Sequence, residues 1–276
     1  MKKLFVYISV IALFSLGTLS CDGEEEGRPS GKPVKIKSSD NSGASFSYEG
    51  NRLVQMQENG SGSTIAFRYE NGELASLSFS PTDPKVADGH GYTRFKREEN
   101  GKITVESGGE PATDMFRVQE IELDANHFPI KITDLGVYSI GKEGRTKEYD
   151  GAYCSLFSWD ASTGQLLREE VCEIGTSQVV ATYTYKYDNA PGLLSEVDCP
   201  LWFYAYWNRE RHYALGTYRA LFFGYANNLT EVTIDDSPDD RHEVLKYDYD
   251  YSPEGFPVAV SLQTSGGETL VIRIQY

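Results

Sequence analysis

The sequence predicts an all-β protein, a single antiparallel meander of about 14 to 16 strands with little helix. Three observations support this prediction. Aromatic residues make up 13% of the chain, and their rings suit pleated, half-exposed surfaces. A hairpin pattern recurs along the chain, and no stretch longer than about 12 residues keeps the spacing of three and four that marks a helix. So many strands in one twisted sheet tend to curl or to split.

The hairpin pattern consists of two aromatic or apolar residues two apart, an acid, a turn of Asn or Gly, and an apolar residue. The first copies are Phe46-Ser47-Tyr48-Glu49-Gly50-Asn51-Arg52-Leu53, Phe67-Arg68-Tyr69-Glu70-Asn71-Gly72-Glu73-Leu74 and Ile121-Glu122-Leu123-Asp124-Ala125-Asn126-His127-Phe128. Later copies begin at Phe157, Tyr185 and Tyr247. Residues two apart lie on one face of a strand, and Asn or Gly supplies the positive φ of a tight turn. Each copy therefore predicts a strand, a turn and a second strand.

The longest alternating runs are 179–187 and 244–251, and the chain closes on a third run at 269–276. Alternation with a period of two is typical of a strand with one buried face. These runs predict long strands.

The first residues resemble an export signal. Met1-Lys2-Lys3 precedes an apolar run from Leu4 to Leu16, and small residues follow up to Ser20. The run is shorter than the roughly 20 residues that a transmembrane helix needs. We therefore expect residues 1–20 to be a lipoprotein signal peptide that is removed.

Cys21 follows the small residues directly and resembles the lipidated cysteine of a bacterial lipobox, although Thr18 stands where that motif usually has Leu. Lipid attachment at Cys21 would anchor the protein to the outer membrane, and the alternative is a secreted protein cleaved nearby. The acidic run 22–26 resembles the signal that directs lipoproteins of Gram-negative gut anaerobes to the outer face of the cell. Its alternative role is a solvated spacer.

The residues after Cys21 predict two parts of the mature chain. Residues 21–35 are mainly Gly, Pro, Ser and charged residues, which predicts a flexible tether, and residues 36–276 form a single all-β domain. Loss of Lys2 and Lys3 with the signal peptide changes the formal net charge from −15 to −17. This charge argues against a nucleic-acid partner, because phosphate backbones are bound by clustered Lys and Arg.

The order of motifs in the last hundred residues resembles a known family. The run Tyr183 to Gly192 leads to Pro200-Leu201-Trp202-Phe203, then to Asn227-Asn228-Leu229-Thr230 and to Tyr247-Asp248-Tyr249-Asp250 before Gly255-Phe256-Pro257. This set is similar to the lipoprotein family called domain of unknown function 4595, over roughly residues 46–276. The resemblance implies a porin-like fold, a meander curled into a barrel or shell, and no known activity. Acids and Lys between the aromatic residues predict a shell with a wet outer face rather than a membrane barrel.

One segment stands out as a candidate ligand-binding surface. Residues 201–207 contain five aromatic residues in seven, of which we select Trp202, Tyr204, Tyr206 and Trp207. Aromatic rings pack against the apolar face of a sugar. The alternative is a core plug or a short helix that closes one end of the shell.

Three cysteines remain in the domain. Cys154 and Cys172 flank a predicted turn almost symmetrically, which makes them a candidate disulfide in an exported protein. Cys199 is left unpaired. The alternative is three buried thiols that behave as small apolar residues.

Catalytic and metal motifs are not apparent in the sequence. His90, His127, His212 and His242 lack the spacing of a zinc site, so no cofactor or metal is expected. Asp235, Asp236, Asp239 and Asp240 crowd one turn and suggest either a calcium site or a solvated hairpin tip. Paired carboxylates in a cleft would be required for a glycoside hydrolase.

We therefore expect a surface-exposed lipoprotein without catalytic activity that binds a glycan or an outer-membrane protein. A structural or accessory subunit of an outer-membrane assembly is the alternative, and a hydrolase is a third hypothesis.

Overall fold

The computed structural model describes residues 31–59, 62–81, 90–110, 115–141, 144–210, 212, 215–237, 241–263, 267 and 269–276. The signal segment, Cys21 and most of the tether lie outside the described residues. Seventeen strands and two short helices form the fold.

The strands are β1 Lys35–Ser38, β2 Gly43–Glu49, β3 Arg52–Asn59, β4 Ser63–Glu70, β5 Glu73–Pro81, β6 His90–Arg97, β7 Ile103–Glu110, β8 Met115–Leu123, β9 Pro129–Gly141, β10 Gly144–Asp150, β11 Tyr153–Asp160, β12 Gln165–Glu173, β13 Val179–Pro191, β14 Asn227–Asp236, β15 Arg241–Tyr251, β16 Pro257–Gln263 and β17 Thr269–Gln275. The helices are α1, Leu201–Arg209, and a 3-10 helix, Tyr218–Phe223. No helix among the described residues is both long and apolar enough to cross a bilayer.

The strands form a closed antiparallel barrel, which confirms the predicted fold class. Except for β10 and β11, each strand pairs with the next along the chain, and β1 pairs with both β2 and β17, so the sheet closes on itself. Strand β9 pairs with β11 through residues 131–133 and with β10 through residues 136–141. Strands β10 and β11 therefore lie one after the other beside β9 and share one position in the wall. The barrel thus has 16 strands around its wall.

Five of the six copies of the hairpin pattern share a local irregularity. The register shifts at the second aromatic or apolar residue of these copies, for example between Ser47 and Tyr48 and between Arg68 and Tyr69, whereas in the copy at Tyr247 it shifts between Asp250 and Tyr251. Such a bulge bends the strand and increases its twist where the chain turns. Gly50 and Asn71 then adopt the positive φ that the turns require.

A set of aromatic donors ties neighbouring strands together at this end of the barrel. Tyr69 Oη donates a hydrogen bond to the carbonyl of Leu53 at 3.1 Å, and Tyr249 Oη donates to that of Leu229 at 2.9 Å. The same bond is made by Tyr48 to Pro33, Trp159 to Pro129, Tyr187 to Leu166 and Tyr276 to Pro257. We call this the turn end, and the opposite end the loop end.

The copy at Tyr185 departs from the predicted hairpin. After β13 the chain does not turn into a paired strand at Gly192 but enters the barrel, and it returns to the wall only at β14. A Cβ on Gly192 would lie 2.5 Å from the carbonyl oxygen of Tyr225, so the entering and leaving chains touch there. Asp188 Oδ1 accepts from the amides of Ala190 and Asn228 and fixes this junction.

The segment 192–226, here called the plug, fills the barrel. The seven residues from Trp202 to Asn208 of α1 are all buried, which is expected only of a helix surrounded on every side. Phe46 of β2 and Tyr185 of β13 pack on the plug at Phe222 and Phe223, from two sides of the wall. The barrel therefore encloses a packed core rather than a channel.

Several strands alternate buried apolar residues with exposed polar ones. On β15 the inward Leu245 and Tyr247 are buried, whereas the alternating Lys246 and Asp248 are exposed. Strand β4 repeats this alternation at Ile65 to Arg68. The buried face of these strands packs on the core inside the barrel.

Candidate functional site

The aromatic segment selected from the sequence is part of the core. Trp202, Tyr204, Tyr206 and Trp207 are only 5 to 6% exposed. Phe95 contacts the rings of both Trp202 and Tyr206, with centroids 5.0 and 5.5 Å away. The expectation of an aromatic surface open to a ligand is corrected here, because a helix inside a closed barrel has no solvent-facing side. The alternative, a core plug, describes the observed position.

Polar contacts fasten the plug to the wall near the loop end. Arg219 binds the buried carboxylate of Glu58 on β3 through Nε and Nη2, at 2.9 and 2.7 Å. Glu210 accepts from Arg117 on β8 at 2.8 Å. Charge-assisted bonds of this type are strong and directional. They hold the plug in one position along the barrel axis.

A third contact involves the one histidine with a buried partner. His212 Nε2 lies 2.7 Å from Oε2 of the fully buried Glu169, and the ring of Tyr183 stacks on the imidazole at 3.9 Å. The remaining oxygen of Glu169 has no hydrogen-bond partner in the described part of the chain. In each of the three contacts, a carboxylate on one of the two parts, plug or wall, binds an arginine or the imidazole on the other part. These contacts attach the plug to the wall and do not place an acid and a base on opposite sides of a cleft.

The other residues selected from the sequence take different positions. Asp235 pairs with His242 at 2.6 Å on the exposed β14–β15 hairpin, whereas Asp239 and Asp240 lie outside the described residues. The described part of the chain contains no cluster of three metal-binding side chains.

The cysteines occupy the positions that the hairpin symmetry predicts. Cys154 and Cys172 are directly opposite each other on β11 and β12, both are buried, and both are thiols in the structure. The disulfide stays a prediction. Cys199 is buried at the turn end, and burial raises the pKa of its thiol well above the usual value.

A groove of about 650 Å³ lies on the outer wall and is here called the wall groove. A pocket of this size suits a ligand of a few hundred daltons. The floor comes from outward side chains of β4 to β8, and the far side from β9 and β10. Its lining includes Arg68, Arg94, Lys96, Glu106, Val118, Leu135, Tyr138 and Arg145.

Aromatic rings and one arginine build the far side of the wall groove. Phe116 and Tyr138 are opposite each other on β8 and β9, and their rings stack with centroids 6.2 Å apart. The guanidinium of Arg145 on β10 lies 4.5 Å from the first ring and 4.7 Å from the second, and reaches Glu106 on the floor at 2.9 Å. Cation–π contacts and the ion pair fix this side chain in place.

The floor of the wall groove carries a cation available for a ligand. Arg68 pairs with Glu70 and Lys96 pairs with Glu98, whereas Arg94 forms no ion pair with any described residue. The Arg94 guanidinium lies 4.5 Å from the ring of Tyr92, which orients it without neutralising it. The wall groove therefore offers a free guanidinium beside apolar and aromatic surface.

Sequence reasoning did not identify the wall groove. The one signal for it is the alternation Tyr92, Arg94, Lys96, which places a ring and two cations on a single outer face of β6. The contribution of Tyr138 and Arg145 depends on the register of β8, β9 and β10, which no local pattern encodes.

Comparisons with known proteins leave the family open. No protein family and no curated protein matches the chain. Among solved structures, it is similar to a porin-like protein from Bacteroides uniformis, with 13% identity over 90% of this chain and 97% of that one and a TM-score of 0.38. A porin-like protein from Bacteroides vulgatus shows 9% identity over 89% of this chain and 98% of that one, with a TM-score of 0.39. We base no functional argument on likeness at this level.

Proposed function

We propose that the protein is a lipid-anchored, surface-exposed binding protein without catalytic activity, and that its ligand is an acidic glycan held in the wall groove. The observation that carries the proposal is Arg94, which has no ion pair with a described residue, on the floor of a groove that also presents the ring of Tyr138. A guanidinium binds a carboxylate through two parallel hydrogen bonds. The apolar residues beside it, Val118 and Leu135, provide a surface for the face of a sugar ring.

The charge of the protein supports a selective site rather than general attraction. The chain has a net charge of −15, so a long polyanion is repelled by most of its surface. Three of the four cations of the wall groove are paired with Glu70, Glu98 and Glu106. A ligand with one carboxylate per one or two sugar rings matches a single free guanidinium.

The position of the mature N-terminal segment supports an anchor at one end of the barrel. The amide of Gly31 donates to Glu196 at 2.9 Å, and Tyr48 donates to the carbonyl of Pro33 at the turn end. A lipid on Cys21 would therefore attach the barrel by its turn end. The wall groove lies on the side of the barrel, where it stays open to solvent in this orientation.

Anchoring is tested by Cys21→Ala in the native host. We expect the variant to move from the membrane fraction to the soluble fraction, because the thiol is the attachment point. Membrane retention equal to that of the unchanged protein would contradict the anchor.

Ligand binding is tested with oligogalacturonates against neutral galacto-oligosaccharides of the same length, by isothermal titration calorimetry. We expect only the acidic series to bind, and Arg94→Gln to weaken its affinity about tenfold, which corresponds to about 1.4 kcal/mol. Arg273→Gln is the matched control, because Arg273 is an exposed arginine on β17, outside the wall groove. Equal binding of the two sugar series, or equal losses in the two variants, would contradict the proposal.

An accessory subunit is the second candidate, and exposed apolar side chains favour it. Tyr149, Tyr153, Ile174 and Val179 are 39 to 65% exposed around the end of β10 and the β12–β13 turn. Apolar residues grouped on a surface indicate contact with a partner protein.

A further inference from the structure

Two glycines lie where β10 ends and β11 begins beside β9. Gly136 has a φ of +114°, and a Cβ there would lie 2.0 Å from the carbonyl oxygen of Tyr149. A Cβ on Gly151 would lie 1.7 Å from the carbonyl oxygen of Asp134. Both positions therefore require glycine, because the backbone of β9 and the end of β10 are in direct contact there.

Strand β10 has one neighbour where the other strands have two. Its residues are in register with β9 alone among the described residues. Strand β12, which pairs with β11, ends at Glu173 opposite Tyr153 and does not continue alongside β10. All seven side chains of β10 are exposed, so none of the described residues covers the strand.

The free edge of β10 lacks the usual protection against strand pairing. Roughly half of the amide and carbonyl groups of a strand point away from a single neighbour. Edge strands are commonly protected by proline or by charges that repel a further strand. Strand β10 contains no proline, and its two acids are bound within the protein, as Glu148 accepts from Ser139 and Asp150 pairs with Lys147 at 2.6 Å. Its two cations, Arg145 and Lys147, would repel a basic strand but not an acidic one.

We propose that β10 accepts an extended segment of a partner protein as an added strand. The main-chain groups of the free edge supply the hydrogen bonds, as in other cases of strand addition. The added strand would lie in line with β12, beyond its last residue, and would span about seven residues beside β10.

The side chains of β10 indicate the composition of the partner segment. Tyr149 is opposite Val137 on one face and is 65% exposed, so an apolar residue of the partner gains contact there. Lys147 is opposite Tyr138 on the other face, and Arg145 is on that face as well. The segment therefore alternates apolar and acidic residues. This site is separate from the floor of the wall groove, and the inference does not rest on glycan binding.

The test uses a capped synthetic peptide of nine alternating Val and Glu residues, with hydrogen exchange of the full-length protein read by mass spectrometry. Without the peptide, we expect amides of 144–150 to exchange much faster than those of β4, which pairs on both sides. With the peptide, protection should rise in 144–150 and not in β4.

Two further peptides separate strand addition from charge attraction. Methylation of alternate backbone amides gives two peptides of identical charge, and only one of them blocks the edge that faces β10. We expect one to lose binding at least tenfold and the other to keep it. Lys147→Glu should weaken binding of the unmodified peptide about tenfold while circular dichroism stays unchanged. The proposal is overturned if the unmodified peptide leaves 144–150 unprotected, or if both methylated peptides bind as well as it does.

Discussion

Two regions of the molecule concentrate aromatic rings, and they differ in how the chain builds them. Helix α1 holds five aromatic residues within residues 201–207, all inside the barrel. Beside the wall groove, Tyr92, Phe116 and Tyr138 come from three strands. A dense local run is buried because a short helix must bury its rings to be stable. Of the outer rings, Tyr92 and Tyr138 stay partly exposed, because each shares its strand with inward residues that occupy the core.

Removing a ring from the plug should have the largest effect. Trp207→Ala leaves a cavity among Phe67 and Phe203, and we expect it to lower the free energy of unfolding by about 3 to 5 kcal/mol. Urea denaturation followed by circular dichroism measures this. The matched substitution in the wall groove, Tyr138→Ala, should cost about 1 kcal/mol, since it loses one stacking contact. Equal losses would show that the two regions do not differ as described.

Breaking a buried ion pair between plug and wall should come next. Arg219→Met leaves the Glu58 carboxylate buried without its arginine, and we expect a loss of about 3 kcal/mol. Glu58→Gln combined with Arg219→Met should recover part of the lost stability, because the double variant has no buried charge without a partner. A double variant less stable than Arg219→Met would contradict this role.

A disulfide between Cys154 and Cys172 would contribute about 3 kcal/mol by closing a loop of about 17 residues. Their direct opposition across β11 and β12 allows the bond. We expect mass spectrometry of non-reduced peptides from the exported protein to detect the linked pair. Finding both residues as free thiols in that material would reject it.

The plug should also make the fold sensitive to alkali. Burial raises the pKa of Tyr183 and of Tyr218 to about 12. Both are protonated in the folded and unfolded states below about pH 10, whereas between about 10 and 12 only the unfolded chain loses these protons. The free energy of unfolding should therefore fall as pH rises through this window, by at most about 1.4 kcal/mol per pH unit for each residue. Stability that stays constant between about pH 9 and pH 11 would contradict their burial.

The sequence indicated the fold more fully than the site. The alternation in 244–251 and the turn residues Gly50 and Asn71 encode strands and hairpins locally, and the structure contains both. The entry of the chain into the barrel after Gly192 was missed, because Tyr185 to Gly192 follows the same pattern as the true hairpins. The difference lies in the segment that follows Gly192, because its high content of aromatic residues indicates that it is buried.

The wall groove and the open edge of β10 depend on contacts between distant strands. Arg145 on β10 meets Glu106 on β7 across two intervening strands, and β10 contacts the backbone of β9 closely only because Gly136 and Gly151 lack a Cβ. Neither glycine is distinguishable in the sequence from the many that form turns. The candidate site thus follows from the register of the sheet and not from any motif.

Quenching of tryptophan emission by acrylamide in the Trp159→Phe variant tests the central claim most directly. Only Trp202 and Trp207 remain in that variant, and both lie inside the barrel. We expect blue-shifted emission, quenching several-fold weaker than in the unfolded chain, and no change on adding oligogalacturonate. Emission typical of solvated indole, or strong quenching in the folded protein, would contradict a plugged barrel that binds its ligand on the outer wall.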